Sequence, residues 1–102
     1  EHFGLVLLDT RHRVLRTKIV ASGTLNSTIV HPRDVFREAV LGGAAAVVVF
    51  HNHPSGDPAP SQDDIELTRR LRAAGVLMGI EVVDHIVLAD VRYCSLKEMG
   101  QI

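Results

Sequence analysis

Four residues in one short stretch carry side chains that could do chemistry together. They are His51, His53, Ser61 and Asp64, all within HNHPSGDPAPSQDD, residues 51–64. Imidazoles two residues apart on a strand project from the same face, with Cα atoms about 6–7 Å apart. Both can then reach one ion at metal–nitrogen distances near ~2.0–2.1 Å. A carboxylate from Asp64 would complete a set of two histidines and one acid. That set leaves a fourth position for water, which distinguishes catalytic zinc sites from closed structural ones. The same donors also make the facial triad of non-haem iron, although nothing in the sequence suggests a cosubstrate pocket. Zinc-deaminase chemistry needs His-x-Glu with paired cysteines, and the single cysteine, Cys94, excludes it.

Each part also has an ordinary structural explanation. Ser61-Gln62-Asp63-Asp64 is a sound helix start by itself, with Ser61 as N-cap and acids in the first turn to complement the dipole. His51 and His53 could be strand-end residues hydrogen-bonded to neighbours. Capping alone does not call for the conjunction of a buried-looking strand, two alternate histidines, a proline-stiffened loop, and Ser and Asp at a helix start. Pro54, Pro58 and Pro60 restrict that loop and Gly56 permits a sharp turn in it. A loop so restricted holds the strand end and the helix start in a fixed relation, as a preorganised site requires.

The elements that must position these residues read as α/β. Phe3 to Leu8 is almost wholly apolar, as a strand buried on both faces would be. The polar stretch Asp9 to Arg13 turns it into a second strand, Val14 to Ala21, which Gly23 and Asn26-Ser27 end. HPRDVFREAVLGG predicts a helix with Pro32 at its start, Val35, Phe36, Ala39 and Val40 on one face, and Gly42-Gly43 at its stop. Ala44 to Phe50 is a central strand. Ser61 to Ala74 reads as the second helix, with Gly75 as its C-cap. Two further strands, Ile80 to Val83 and Ile86 to Ala89, are expected to join tightly at Asp84-His85. Ser95 and Glu98 then fit a capping box. The order implies a mixed sheet flanked by helices, with an edge that could support a dimer.

Composition sets outer bounds. The 102 residues suit one domain, with 46% apolar and 23% charged residues and a net charge of −1. That balance gives no general pull toward nucleic acid or anionic membrane. The arginines at 11, 13 and 16 with Lys18, and those at 69, 70 and 72, are matched by 12 acids. Phe3, Phe36 and Phe50 sit in apolar patterns and not on a base-stacking platform, so direct DNA binding is not expected. No apolar run approaches the ~20 residues of a membrane helix, and no leader pattern is visible. Cys94 reads as a small buried hydrophobe, and the expected compartment is a reducing cytoplasm. The strand-like start at residue 1 reads as one domain, residues 1–102, taken from a longer protein.

His-x-His-Pro, six residues, Ser, two residues, Asp resembles the JAMM (MPN+) metalloprotease motif, matched by His51, His53, Pro54, Ser61 and Asp64. HNHPSG followed by Pro-Ser and Asp is similar, more narrowly, to the signature of the bacterial RadC family. SGTLNSTIVHPRDVFREAV and DHIVL extend the resemblance over essentially the whole chain. It implies a JAMM/MPN-like α/β fold with a three-layer arrangement like that of cytidine deaminases. It also implies a zinc ion held by His51, His53 and Asp64, with water as the fourth ligand. Glu1, in EHFG, fits the place of the family's first-strand glutamate, the general base. Ser61 would donate a hydrogen bond to the oxyanion as a peptide or isopeptide bond in a protein substrate is hydrolysed. The family's upstream helix–hairpin–helix region has no counterpart in these residues. Asn52 stands where the eukaryotic isopeptidases carry Ser or Thr. Two alternatives accompany the resemblance: a DNA-repair-associated module, from the family's label, and an inactive scaffold that keeps the metal.

The remaining chemical side chains read as structural. Asp63 is a first-turn helix acid, Asp57 a loop residue, and His85 a turn residue that could otherwise orient a ligand. His2, His12 and His31 have no partner at ligand spacing. Glu38, Glu66 and Glu98 fall on predicted helices and Glu81 on a late strand.

Overall fold

The computed structural model describes residues 1–23 and 30–102. It contains β1 (His2–Leu8), β2 (Val14–Ser22), α1 (Pro32–Leu41), β3 (Ala46–Asn52), α2 (Gln62–Met78), β4 (Glu81–Ala89) and β5 (Arg92–Ser95). The strands form one sheet in the order β2-β1-β3-β4-β5. Every pairing is antiparallel except β3 with β4. A parallel pair needs a crossover, and α2 supplies it. The end of β3 and the start of α2 are therefore brought together at the carboxyl end of a strand, where open α/β sheets build their sites. This is the mixed, helix-flanked sheet that the sequence implies.

One core binds both helices to one face of the sheet. Phe3, Leu5 and Leu7 of β1, Val47 and Val49 of β3, and Val82 of β4 meet Val35, Phe36 and Ala39 of α1 and Leu67 and Leu71 of α2. These are alternate residues of each strand, as the pleat requires. The other face, with Val6, Val48, Phe50 and Ile86, is half-buried. Among the described residues the apolar stripes of α1 and α2 share this single core on one face of the sheet.

Element ends differ from expectation in three places. α2 runs past Gly75 to Met78, and Gly79, at φ 69°, is its C-cap. A glycine is required at 75 for a different reason: a Cβ there would collide with the Ile80 carbonyl oxygen. Asp84-His85 is not a joint between two strands but the interior of β4. The Asp84 carboxylate accepts from the backbone N–H of His85 (2.7 Å) and Lys97 (3.0 Å) and from Ser95 Oγ (2.5 Å). These bonds hold Asp84 within a strand that bulges between Val82 and Asp84. The turn lies instead at Asp90-Val91, with Asp90 at φ 57°, and leads into the unanticipated β5. Ser95 Oγ does accept from Glu98 N at 3.1 Å, but turns follow it and not a helix.

The β1–β2 hairpin forms as expected. Asp9 ties its turn by accepting from the N–H of Arg11 and Arg13 at 2.8 and 2.9 Å. Asn26-Ser27 lie outside the described residues. No helix among those residues is long and apolar enough to cross a membrane.

Candidate metal centre

His51, the penultimate residue of β3, lies on its core-facing side, 3% exposed and stacked against Phe3 with ring centroids 6.1 Å apart. His53 lies just beyond the strand, its N–H donating to the Leu88 carbonyl of β4 at 2.8 Å. Their Nε2 atoms face each other across 2.9 Å. Asp64, in the first turn of α2, approaches both: Oδ1 is 3.2 Å from His51 Nε2 and Oδ2 is 3.1 Å from His53 Nε2. Glu1 approaches from the start of β1, because β1 runs antiparallel to β3 with Phe3 opposite His51. Ligand atoms of Glu1, His51 and His53 all lie within 4.8 Å of one another. Each of the two carboxylates thus approaches the same pair of imidazoles.

Proton accounting tests whether this arrangement suits a cation. His53 Nδ1 is 2.9 Å from the Asp57 carbonyl oxygen. A carbonyl only accepts, so Nδ1 carries a proton, and the ring in its neutral form presents a lone pair at Nε2. The Asp64 oxygens are acceptors as well. Burial raises the Asp64 pKa, but the hydrogen bonds from His51 and the Ser61 backbone outweigh it. The carboxyl is therefore held well below the usual carboxylate range. Whichever tautomer His51 adopts, neutral rings bring at most one proton to three converging acceptors. Such a set fits a divalent cation, and two histidines with a carboxylate suit zinc or ferrous iron.

Asp64 has a second duty. Ser61 N donates to its Oδ2 at 2.8 Å while Asp64 N donates to Ser61 Oγ at 3.1 Å, a reciprocal capping box. These bonds fix the carboxylate's rotamer. The Ser61 hydroxyl, having accepted one N–H, keeps its own proton free to donate, and Ser61 is exposed at the site's rim. The intervening loop is restrained along its length. Pro58 is buried, Arg92 Nη2 donates to the Gly56 carbonyl at 2.5 Å, and the Asp57 carbonyl orients His53.

Asn52, between the two histidines, turns to the opposite side and accepts from His2 N at 2.6 Å. Glu1 is also paired in both directions with the backbone of Gly23 at 3.0 Å. Glu1 is therefore held between β2 and β3. The competing acids are engaged elsewhere or exposed: Glu38 pairs with Lys18 at 3.4 Å, Glu66 with Arg69 at 2.7 Å, and Glu81 and Glu98 face solvent. His2 bonds Ser22, and His31 caps α1 through Arg33 N. Asp63 is an exposed first-turn acid, and Cys94 is half-buried.

Sequence reasoning undervalued His85. It is fully buried, its Nε2 lies 2.8 Å from His51 Nδ1 and its Nδ1 lies 2.5 Å from Thr68 Oγ1. Burial, then the neighbouring His51, push its pKa down to about 3 against the opposing pull of Asp64 and Asp84. The ring is neutral. Thr68, itself buried, donates to the Asp64 carbonyl at 2.8 Å. The spacing Asp64-x-x-x-Thr68 is one helical turn and was legible as such; that β4 passes beside β3 was not.

A family model described as a RadC-like JAB domain matches residues 1–101. A UPF0758 protein of Bacillus licheniformis is 54% identical over 100 residues, which cover 98% of this chain and 45% of the relative. UPF0758 proteins of Bacillus cereus and Bacillus thuringiensis subsp. konkukian are each 52% identical over 102 residues, covering all of this chain and 45% of the relative. The chain spans less than half the length of these curated relatives.

Proposed function

The chain belongs to the RadC-like JAB domain family, a JAMM-type metal-binding fold, and from that premise we propose that it is a zinc-dependent hydrolase of peptide or isopeptide bonds. His51, His53 and Asp64 hold the ion, Glu1 is the general base, and Ser61 stabilises the oxyanion. The observation that carries this reading is the convergence of the two Nε2 atoms with both Asp64 oxygens, with Glu1 close to the same two imidazoles.

Zinc bound there supplies a nucleophile from water at neutral pH and polarises the scissile carbonyl. Glu1 takes the proton of the attacking water and returns it to the leaving amine; its place between β2 and β3 keeps the carboxylate beside the imidazoles. Ser61 donates the hydroxyl proton that its capping role leaves unused, toward the oxygen on which negative charge develops. Asp57 and His85 keep the imidazoles oriented, and the capping box keeps the Asp64 carboxylate turned to them.

The test is hydrolysis of a library of internally quenched peptides and ubiquitin-like isopeptide conjugates by zinc-loaded protein. Glu1→Gln is expected to lower turnover by roughly 10²–10⁴-fold while zinc content stays at the wild-type level. Turnover that survives this change would remove Glu1 from the base role. Absence of turnover on every substrate class, with zinc bound, would favour a metal-keeping scaffold.

A further inference from the structure

We propose that Thr68 and His85 are positioning residues for the metal centre, forming a buried relay from the Thr68 hydroxyl through the His85 ring that decides which nitrogen of His51 carries its proton. The inference rests on the metal-centre reading above.

Ligating histidines generally donate their other ring N–H to a carboxylate, a backbone carbonyl or water, and of these the carboxylate and the carbonyl can only accept. His53 follows that pattern through the Asp57 carbonyl. His51 does not, because its Nδ1 meets another imidazole, 2.8 Å away at His85 Nε2. An imidazole can accept or donate there, so His85 alone leaves the His51 tautomer undecided. Thr68 decides it. Its single hydroxyl proton has two acceptors in reach, the Asp64 carbonyl at 2.8 Å and His85 Nδ1 at 2.5 Å.

When the hydroxyl donates to the Asp64 carbonyl, its oxygen accepts Nδ1–H from His85. His85 Nε2 is then bare and accepts Nδ1–H from His51, and the His51 Nε2 lone pair faces the ion. When the hydroxyl donates to His85 Nδ1 instead, every bond reverses and His51 carries its proton on Nε2, where it blocks coordination. Each group holds one proton in both arrangements, so the relay fixes where the lone pair points without storing charge. His85 and Thr68 are 0% and 1% exposed, and Phe3 meets the His85 ring edge-on with centroids 5.8 Å apart. Water therefore does not substitute for either partner. The carbonyl that favours the productive direction belongs to Asp64, so the relay also ties the two ligand-bearing elements together.

The experiment is zinc affinity by competition with a chelator of known affinity, on wild type, Thr68→Val and Thr68→Ser, with imidazole ¹⁵N shifts of the zinc-loaded wild type. Thr68→Val is expected to weaken zinc binding by roughly 10–100-fold, while Thr68→Ser, which restores the hydroxyl, stays within about threefold of wild type. The loaded wild type should show the His85 proton on Nδ1, a readout that depends on no variant folding. Thr68→Val at wild-type affinity, or the His85 proton on Nε2 in the loaded protein, overturns the relay and leaves the metal centre standing. Wild type that takes up no zinc overturns both.

Discussion

At the scale of single residues, the site depends on side chains with two duties. Ser61 is the clearest case, since one hydroxyl accepts the Asp64 N–H and has a proton left to donate. The duties separate by substitution. Glycine at an N-cap costs only a few tenths of a kcal/mol relative to serine, so Ser61→Gly is expected to leave the urea midpoint nearly unchanged. The same variant should lose roughly 10²–10³-fold in turnover, as other enzymes do when an oxyanion donor is removed. A large stability loss with kinetics unchanged would make Ser61 a cap and nothing more. His51, His53 and Asp64 were legible because their relation is local: a two-residue period, then a loop, then a helix's first turn. His85 was not, because its meaning depends on pairing with Val49 of a strand 36 residues earlier. The Asp57 carbonyl was invisible for another reason, being a backbone group that no residue type announces.

Elements determine whether those side chains can meet. α2 carries Asp64 at its start and Thr68 one turn on, so its seat on the sheet sets the distance from Asp64 to the imidazoles. Gly75 sets that seat, since a Cβ there would collide with the Ile80 carbonyl oxygen. Alanine in an ordinary helix interior stabilises by about 1 kcal/mol relative to glycine. Here Gly75→Ala is expected to destabilise by about 1–3 kcal/mol, because backbone must move to admit the methyl. Chemical denaturation reads the sign directly, and a stabilised variant would contradict the close approach. The sequence led to a C-cap at Gly75 because a glycine ending an amphipathic run usually marks one. Four residues further on, Gly79 has the positive φ that a cap requires. Asp84-His85 misled similarly, since two of the three donors that keep Asp84 within a strand, Ser95 and Lys97, come from outside any local window.

For the molecule as a whole, burying a neutral imidazole beside the centre couples folding to pH. The unfolded chain protonates His85 near its ordinary value of 6.5, whereas the folded chain refuses that proton until about 3. The unfolded state therefore binds more protons across this window, and stability falls as pH drops from about 6.5 toward 3. Asp64, held below its ordinary 3.8, adds a loss in the same direction only under that value. Urea midpoints of metal-free protein should decline steadily from pH 6.5 to 4, and less steeply in His85→Asn. A wild-type profile flat over that range would contradict a neutral buried His85. Charge says less about partners. Arg13 pairs with Asp9, Lys18 with Glu38 and Arg69 with Glu66, so the basic residues noted in the sequence are partly neutralised in place. The mixed sheet and its crossover were legible from the order of elements. The face shared by α1 and α2 was not, because apolar periodicity tells which side of a helix is buried but not which side of the sheet receives it.

The measurement that bears most directly on the central claim is zinc stoichiometry, by elemental analysis after loading and dialysis, on wild type and on His51→Ala/His53→Ala. A JAMM-type centre predicts close to one zinc per chain in wild type and its loss in the double variant. A folded wild type that retains no zinc, or a double variant that retains it, would contradict the site described here.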